Sequence, residues 1–322
     1  MRLALLLTAL LVAAGCRDRS QDPGVPGLVR LGYLPNVTHA QALTGVHSGR
    51  FAKALGSASL EATSFSAGPA LIEALFAGEI DVAYLGPSPA LNAFVRSKGR
   101  ALRLIGGAAR GGARLVARRE IGLSGAQGLR GLRIGVPQIG NTQDVVFRAW
   151  LAAKGLESAD RGGDVHVYPL AAADILALMV RKELDAAFVP EPWGARLVAE
   201  ADAEPYPADD GPSDPNVPTT ILVARNAFLT ARPEDVKLLL AAHRAETAWH
   251  ATAPEARSVI NDAMAEELGK RLPDAVLDDA MASIVLTDEV LMEPLDALAE
   301  AAFAIGYLPD RNITGILAPP KL

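Results

Sequence analysis

An internal repeat constrains this chain more than any other feature of its sequence. Residues 70–85 align without a gap on residues 174–189, and the segments upstream of them, 28–36 and 129–138, match more loosely. Similar stretches at a fixed spacing indicate duplicated structural units. The chain is therefore predicted to contain two similar α/β units about one hundred residues apart.

Each copy of the repeat alternates short apolar segments with helix-like ones. In the first copy, residues 29–33, 60–65 and 82–85 are predicted strands, because they are short and either apolar or alternating. Helices are predicted after Thr38, which has capping-box spacing, and at Ser88, a candidate N-cap. Strands that alternate with helices predict open, largely parallel sheets. Such sheets bind ligands outside the carboxyl ends of their strands.

The rest of the chain adds strands to the two units and a helical tail to only one of them. Residues 102–107, 113–117 and 219–224 are predicted strands, and the second is predicted to cross from the first unit to the second. Four segments with helical periodicity and no strong strand follow, at residues 233–252, 254–268, 273–284 and 289–305. A helical tail without its own sheet must pack on an existing lobe. The chain is therefore predicted to return to the first lobe, which makes that lobe discontinuous and gives two crossings between lobes.

These boundaries divide the chain into four parts. We predict a lipoprotein signal peptide at residues 1–16, a tether at 17–27, a discontinuous lobe 1 at 28–113 with 222–322, and lobe 2 at 114–221. The length of 322 residues agrees with two domains, since one domain takes roughly 100–200 residues.

The N-terminus is predicted to be a targeting signal. Arg2 precedes an apolar run over residues 3–12, which is shorter than the roughly 20 residues of a membrane-spanning helix. The run leads to Gly15 and Cys16, an ending that resembles a bacterial lipobox, although that pattern prefers Leu where Ala13 stands. Cys16 is the only cysteine, so we predict that it carries a lipid and anchors the protein outside the cytoplasm. Ordinary signal-peptide cleavage close to Cys16 is the alternative.

Composition excludes several classes of protein. Half of the residues are hydrophobic and the net charge is only −6, so the chain is not intrinsically disordered. It has 37 acidic residues against 31 basic ones, whereas a nucleic-acid-binding protein needs a basic face. A single cysteine excludes an intramolecular disulfide framework and a cysteine-based zinc site.

Four strand-to-helix loops are predicted to meet in the cleft between the lobes. They cover residues 33–39, 86–89, 138–144 and 190–194, and none contains Lys or Arg. Three of them place small, hydroxyl or amide residues at helix N-termini, where free N–H groups and the helix dipole attract anions. An oxyanion held there would be bound by neutral donors. The alternative is that these residues are ordinary helix caps and turn residues.

Several side chains in or near these loops have two interpretations. Tyr33 and Trp193 either stack on a ligand or belong to the core. Glu191 suits an anion site less well, because a carboxylate would repel the ligand; it is expected to cap its helix, bind an amine on the ligand or link the two lobes. Arg110 and Arg114, near the first crossing, either face the cleft or lie on the solvated surface.

Catalysis has little support in the sequence. The five histidines, His39, His47, His166, His243 and His250, show neither HxxxH nor HExxH spacing, so no metal site is predicted. His39 lies at the first turn of a loop-borne helix, but no serine or cysteine nucleophile elbow accompanies it. The chain also lacks a phosphate loop of the Walker A type, and no cofactor is predicted.

Four motifs together resemble a known family. They are GYLPNVTHA at residues 32–40, AGEIDVAYLGPSP at 77–89, GNTQD at 140–144 and VPEPW at 189–193. They resemble the substrate-binding proteins of the aliphatic sulfonate, nitrate and taurine class of ABC importers, and the resemblance extends over about residues 28–315.

This resemblance implies a fold and a site. The fold is the two-lobed α/β periplasmic-binding-protein type II fold, with two interlobe crossings, which closes over a small ligand and presents it to a transmembrane permease. The residues implied as ligand-binding are Tyr33, Asn36, His39, Gly86, Ser88, Asn141, Thr142, Glu191 and Trp193.

A related branch of the family is enzymatic. The fungal thiamine-pyrimidine synthases depend on a cysteine cluster and a pyridoxal-binding lysine, whereas this chain has no cysteine besides Cys16. That activity is therefore not expected. Binding proteins for pyrimidine precursors or riboflavin remain alternatives.

We therefore predict a lipid-anchored, monomeric solute-binding protein that is not an enzyme. It is expected to capture a small organic anion, foremost an aliphatic sulfonate, and to deliver it to ABC permease and ATPase subunits. One alternative is a binding protein for a nitrogen heterocycle such as a pyrimidine precursor of thiamine. The other is an extracytoplasmic enzyme or sensor domain in which His39 and Glu191 form an acid/base pair.

Overall fold

The computed structural model describes residues 24–207 and 209–319, and its strands form two sheets. The predicted signal peptide, with Cys16, lies outside the described residues. Sheet 1 contains β1 (Leu28–Tyr33), β2 (Ser59–Ser64), β3 (Val82–Leu85), β4 (Leu102–Gly111), β10 (Pro218–Arg225) and β11 (Ile284–Leu286). Sheet 2 contains β5 (Ala113–Arg118), β6 (Arg133–Val136), β7 (His166–Pro169), β8 (Ala186–Pro190) and β9 (Ala203–Pro205).

The two sheets share one topology. Sheet 1 has the strand order β11-β4-β10-β3-β1-β2, and sheet 2 has the order β7-β6-β8-β5-β9, which corresponds to it when followed from the other end. In each sheet one strand pairs in parallel with both neighbours, β1 with β2 and β3, and β6 with β7 and β8. The next strand, β10 or β5, runs antiparallel. The sheets are therefore mixed and not largely parallel, because β5 and β10 each enter from the other sheet and not through a crossover helix.

Helices pack against both sheets and complete two lobes. Lobe 2, built on sheet 2, has α5 (Thr142–Ala153), α6 (Ala172–Val180) and α7 (Trp193–Glu200). Lobe 1, built on sheet 1, has α1 (Ala40–His47), α2 (Arg50–Ala54), α3 (Gly68–Phe76), α4 (Pro87–Arg96), α8 (Asn226–Ala231), α9 (Pro233–Thr252), α10 (Ala256–Leu268), α11 (Asp274–Ala282) and α12 (Met292–Ala304). Within the described ranges, no helix combines the length and the hydropathy that crossing a bilayer requires.

Two segments carry the chain between the lobes. At the first, between β4 and β5, Gly111 and Gly112 have φ values of 68° and 69°, a left-handed conformation that glycine adopts without strain. A side chain at Gly112 would also lie 2.6 Å from Ile284 Cγ1. The second segment connects β9 to β10. Because β10 begins at Pro218 and lies wholly in sheet 1, the predicted boundary between residues 221 and 222 falls inside this strand.

The C-terminal tail packs on lobe 1 but is not purely helical. β11 pairs antiparallel with the end of β4, which continues past the predicted residue 107 to Gly111. The predicted helix over 273–284 correspondingly stops at Ala282. A three-residue edge strand has too little sequence for a periodic signal, which is why the expectation of a strand-free tail is wrong.

The repeat is preserved in a buried ion pair at Asp81, just before β3. Asp81 Oδ2 accepts hydrogen bonds of 3.0 and 2.9 Å from the backbone N and the Nε of Arg30, and Oδ1 lies 2.6 Å from Nη2 of Arg225 on β10. The side chains of Asp81 and Arg225 are fully buried. Buried charges persist in a core when they are paired in this way.

Asp185 forms the same arrangement in lobe 2. Its Oδ2 accepts hydrogen bonds of 2.9 Å from the backbone N and the Nε of Arg133, and its Oδ1 accepts one of 2.8 Å from Nη2 of Arg118 on β5. The hydrogen bonds from Arg133 hold the pKa of the Asp185 carboxyl well below its usual range. The crossing strands β5 and β10 are therefore structural counterparts, although they occupy different places in the chain order.

Candidate functional site

A cleft of about 410 Å³ lies between the lobes, where the strand-to-helix loops of both sheets meet. It contains six of the nine residues that the sequence singles out, namely Asn36, His39, Gly86, Asn141, Thr142 and Trp193. Tyr33, Ser88 and Glu191 lie behind the cleft surface. The position agrees with the rule that open α/β sheets bind ligands beyond the carboxyl ends of their strands.

Five helices begin at residues that line this cleft: α3, α4, α5, α6 and α7. The four loops predicted to meet in the cleft did not include two of these starts, around Gly68 and Ala171, although a helix start at residues 66–69 is itself indicated by the sequence. They occupy equivalent places in the repeat, so extending the 70–85 and 174–189 alignment toward the N-terminus would have identified both. The first turn of a helix has backbone N–H groups without intrahelical partners and carries the positive end of the helix dipole, although Pro87 and Pro89 supply no N–H at the start of α4.

Two asparagines at helix starts have an amide group left for a ligand. Asn36 Oδ1 accepts a hydrogen bond of 3.1 Å from the backbone N of Thr38, and Asn141 Oδ1 accepts one of 2.9 Å from the backbone N of Asp144. The Nδ2 groups of these two asparagines donate no hydrogen bond within the described part of the chain. Asn36, and not the predicted Thr38, is therefore the cap of the first turn, since Thr38 already lies inside it.

His39 is a neutral hydrogen-bond donor at the cleft. Its Nδ1 accepts a hydrogen bond of 3.2 Å from the backbone N of Leu34. Burial lowers the pKa of His39 to about 3, so the ring is uncharged at neutral pH. With Nδ1 acting as acceptor, the proton resides on Nε2, which can donate to a ligand.

The starts of α4 and α5 meet across the cleft. Thr142 Oγ1, from lobe 2, accepts a hydrogen bond of 3.3 Å from the backbone N of Ser88 in lobe 1. A Cβ at Gly86 would overlap Thr142 Oγ1, so this approach requires glycine. Gly86 and not Ser88 is the N-cap of α4. The fully buried Ser88 Oγ has no hydrogen-bond partner in the described chain.

The two candidate stacking aromatics have different surroundings. Trp193 lines the cleft at the first residue of α7, and the Arg196 guanidinium lies 4.6 Å from the centre of its ring. Tyr33 is only 6% exposed, packs in the core of lobe 1 and donates a 2.5 Å hydrogen bond to Glu267 Oε1. Of the two, Trp193 alone presents its ring to the cleft.

Glu191 is fully buried and links several elements. Its Oε2 accepts a hydrogen bond of 2.9 Å from the backbone N of Ala195 near the start of α7, and its Oε1 lies 2.8 Å from Nε of Arg114. Arg114 Nη1 in turn donates a 2.7 Å hydrogen bond to Asp279 on α11 of lobe 1. Glu191 thus caps a helix and, through Arg114, connects the lobes. Arg110 contacts Pro215 and Asn216 instead of the cleft.

The burial of Glu191 predicts a pH-dependent stability. Desolvation outweighs the attraction of Arg114 and raises the pKa of Glu191 from 4.5 to about 7. The folded carboxyl thus keeps a proton that the unfolded one releases, so stability decreases as pH rises from about 4.5 to about 7. The loss between pH 5 and pH 8 is expected to be about 2 kcal/mol larger in the wild type than in Glu191→Gln, which keeps an acceptor for Ala195.

Urea unfolding of both proteins at pH 5 and pH 8 measures this difference. The exposed Glu61→Gln serves as the control and should retain the wild-type pH dependence. Equal pH dependence in Glu191→Gln and the wild type would show that Glu191 does not titrate in this range.

The electrostatic character of the cleft is neutral. Among the described residues that line it, none is Asp, Glu, Lys or Arg. Its polar groups are amides, hydroxyls, His39 and backbone N–H groups, and its apolar surface includes Leu34, Leu268, Trp193 and several prolines. The arrangement can hold a small molecule that combines hydrogen-bonding oxygens with an apolar part.

Comparisons with known sequences identify related proteins. A sequence profile described as the NMT1-like family matches residues 23–265. The chain is 26% identical over 224 residues to proteins of Brucella abortus, Brucella suis and Brucella melitensis that are named as candidate binding proteins. The match covers 66% of this chain and 64% of those relatives, so slightly less than two thirds of their length is represented.

Solved structures share the fold. The alkanesulfonate-binding protein SsuA of Xanthomonas axonopodis pv. citri, bound to MOPS, superposes with a TM-score of 0.74 at 20% identity, covering 91% of this chain and 98% of that one. The periplasmic nitrate-binding protein NrtA of Synechocystis PCC 6803 gives 0.71 at 15% identity, with 90% and 84% covered. The predicted two-lobed periplasmic-binding-protein type II fold is confirmed. The names of these two solved structures describe them as binding proteins.

Proposed function

The chain belongs to the NMT1-like family, and from this premise we propose that it is the extracytoplasmic solute-binding protein of an ABC import system of the sulfonate and nitrate class. One observation carries the proposal: five helix N-termini converge on an uncharged cleft between two lobes. Helix N-termini bind anionic oxygens without a charged side chain, which favours reversible capture.

The ligand that fits this cleft best is a small organic anion, foremost an aliphatic sulfonate. Its oxygens would accept hydrogen bonds from Nδ2 of Asn36 and Asn141, from Nε2 of His39, and from backbone N–H groups at the helix starts. Its apolar part would lie against Trp193 and Leu268. The similarity to structures of sulfonate- and nitrate-binding proteins supports this class of ligand.

Of the remaining predicted residues, Gly86 and Thr142 line the cleft and the other three lie behind it. We assign Gly86 and Thr142 to the contact between the lobes, Ser88 to the α4 start, and Tyr33 and Glu191 to the packing beneath the cleft. These residues position the side chains that touch the ligand.

The same proposal includes the location of the protein, its membrane anchor and its partners. We place it outside the cytoplasm as a monomer, held to a membrane by lipid on Cys16, and delivering its ligand to permease and ATPase subunits. Globomycin treatment of cells that produce the protein tests the anchor, because blocked lipoprotein processing should leave the precursor uncleaved. Cys16→Ser should likewise leave the precursor uncleaved, whereas ordinary signal-peptide cleavage would proceed in both cases.

Replacing Trp193 or Asn141 by alanine is expected to weaken ligand binding while the protein still folds. Loss of the aromatic surface or of one amide donor should reduce affinity about tenfold, equivalent to roughly 1–2 kcal/mol. Isothermal titration calorimetry measures the affinity, and Trp249→Ala and Asn312→Ala, which lie outside the cleft, are the matched controls. Wild-type affinity in both cleft variants would place the ligand elsewhere.

Thermal stabilisation provides the screen that identifies the ligand. A molecule that binds only the folded chain at 100 times its Kd stabilises it by about 2.7 kcal/mol. Alkanesulfonates, taurine, nitrate, phosphonates and pyrimidines form the panel. Stabilisation by a sulfonate, with none by the others at equal concentration, is the expected result.

One observation favours a second candidate, a nitrogen-heterocycle-binding protein. The amides of Asn36, Gln138, Asn141 and Gln143 line the cleft, and an amide can both donate and accept hydrogen bonds. A heterocycle with alternating donors and acceptors would match them, and it would stack on Trp193. Stabilisation by pyrimidines and not by sulfonates would select this candidate.

The alternative of an acid/base pair at His39 and Glu191 is not favoured. His39 lines the cleft, whereas Glu191 is buried behind it and is held by Ala195 and Arg114. The two groups therefore do not face a common ligand position, and general acid/base chemistry needs both within reach of the same substrate.

A further inference from the structure

Tyr307 connects the two lobes at a place where no crossing segment joins them. It follows α12, which packs in the core of lobe 1 and against α5 of lobe 2. Its hydroxyl donates a 2.7 Å hydrogen bond to the carbonyl oxygen of Gly140, in the loop between β6 and α5 of lobe 2. A side chain at the end of one lobe thus holds the backbone of the other.

The two partners fit each other closely. Gly140 has a φ of 77°, and a Cβ there would lie only 2.7 Å from Cε2 of Tyr307, so glycine permits the ring to approach. Asn92 Nδ2 donates a hydrogen bond of 3.4 Å to the Tyr307 hydroxyl. Because that hydroxyl accepts from Asn92, its own proton is free to point at Gly140.

The loop that Tyr307 holds is part of the candidate binding site. The backbone N of Gly140 donates a 2.8 Å hydrogen bond to Asp144 Oδ2, and the next residue, Asn141, caps α5 through the backbone N of Asp144. Asn141 and Thr142 line the cleft, whereas Tyr307 does not. A displacement of the Gly140 carbonyl would therefore also move the start of α5, which carries Asn141, a proposed ligand contact.

The contacts between the lobes differ in how far their atoms would move if the cleft opened. Arg114 also joins the lobes, but it lies two residues beyond the Gly112 crossing, where hinge motion displaces atoms least. Gly140 directly precedes the start of α5, where Thr142 lines a small cavity with the crossing residues Ala113 and Thr219. Its bond to Tyr307 nevertheless joins two lobes outside the crossing segments themselves, so we expect a change in the angle between the lobes to break it.

We propose that Tyr307 is a positioning residue, a latch that holds the Gly140 loop in the closed arrangement and so sets how long a bound solute is retained. This inference rests on the proposed solute-binding function. The latch acts on the closed state, so it slows dissociation and leaves the rate of association unchanged.

Tyr307→Phe in the full chain tests the latch, with hexanesulfonate as the probe. Losing one hydrogen bond should speed dissociation about threefold to tenfold and weaken affinity by the same factor, with association unaltered, in stopped-flow fluorescence. Tyr206→Phe is the matched control, because its hydroxyl bonds to Asp210 within lobe 2 at 2.6 Å. An unchanged dissociation rate in Tyr307→Phe would overturn the proposal.

A second measurement needs no ligand. Spin labels at Glu79→Cys and Glu183→Cys, in a full chain that also carries Cys16→Ser, report the distance between the lobes at two exposed, repeat-related positions. Tyr307→Phe should reduce the population with the shortest distances between the two labels. Identical distance distributions in Tyr307→Phe and in the labelled protein with Tyr307 would refute the latch. If hexanesulfonate binds neither protein, the sulfonate assignment fails, and the distance distributions still decide on Tyr307.

Discussion

Asp81→Ala is expected to destabilise the chain by about 3–5 kcal/mol, the largest effect of any single substitution considered for stability. The change removes the carboxylate that lies 2.6 Å from Nη2 of the fully buried Arg225 and that also pairs with Arg30. Breaking a buried pair at one end costs more than the pair contributes, because the remaining charge stays out of water. Urea unfolding at pH 7 should show a lower midpoint with an unchanged slope.

The repeat supplies a matched comparison at Asp185. Asp185→Ala removes the equivalent carboxylate, but Arg133, which is 39% exposed, regains water contacts, and the buried Arg118 keeps its ion pair with Glu120. The expected cost is about 1–2 kcal/mol, which is typical of a partly exposed hydrogen-bonded charge. If the two substitutions cost the same, burial of the arginine is not what determines the effect.

Gly86→Ala is expected to reduce ligand affinity about tenfold to a hundredfold while leaving the melting temperature almost unchanged. The added methyl group would overlap Thr142 Oγ1 across the cleft, and overpacking of this kind costs roughly 1–3 kcal/mol. Because the overlap lies between lobes and not within one, opening of the cleft relieves it. The cost therefore appears in binding and not in folding, as titration calorimetry and thermal unfolding should show.

Combining Gly86→Ala with Thr142→Ala tests whether the loss of affinity comes from this overlap or from a general disturbance of α4. In a Thr142→Ala background the nearest remaining atom is Cβ of residue 142, at 3.3 Å from the new methyl carbon. Gly86→Ala should then cost much less than in the wild type, although Thr142→Ala alone weakens binding. Additive losses would contradict a direct contact, since independent sites add and touching ones do not.

The duplication made most of the architecture predictable from the sequence. The aligned residues 70–85 and 174–189 correspond to α3 with β3 and α6 with β8, and the looser segments contain β1 and β6. The return of the chain to lobe 1 followed from the rule that a helical tail needs a sheet to cover. The mixed character of the sheets was not predictable in this way, because the direction of a strand depends on where the chain enters the sheet and not on local pattern.

The candidate site was predictable at the level of loops and less so at the level of side chains. Loop positions follow from the strand ends, so Asn36, Asn141 and Trp193 were identified as cleft residues before the fold was known. Whether a side chain turns toward the cleft depends on partners far away in the chain. Tyr33 turns to Glu267, and no feature near Tyr33 in the sequence indicates that contact.

Sheet 1 draws its strands from both ends of the chain, and this affects the order in which the protein can be built. Sheet 2 uses an uninterrupted stretch, from Ala113 to Pro205, whereas sheet 1 lacks the strand between β3 and β4 until Pro218–Arg225 has been made. An emerging polypeptide can therefore complete its second lobe before its first. Lobe 1 therefore cannot complete its sheet until residues that follow lobe 2 have been made.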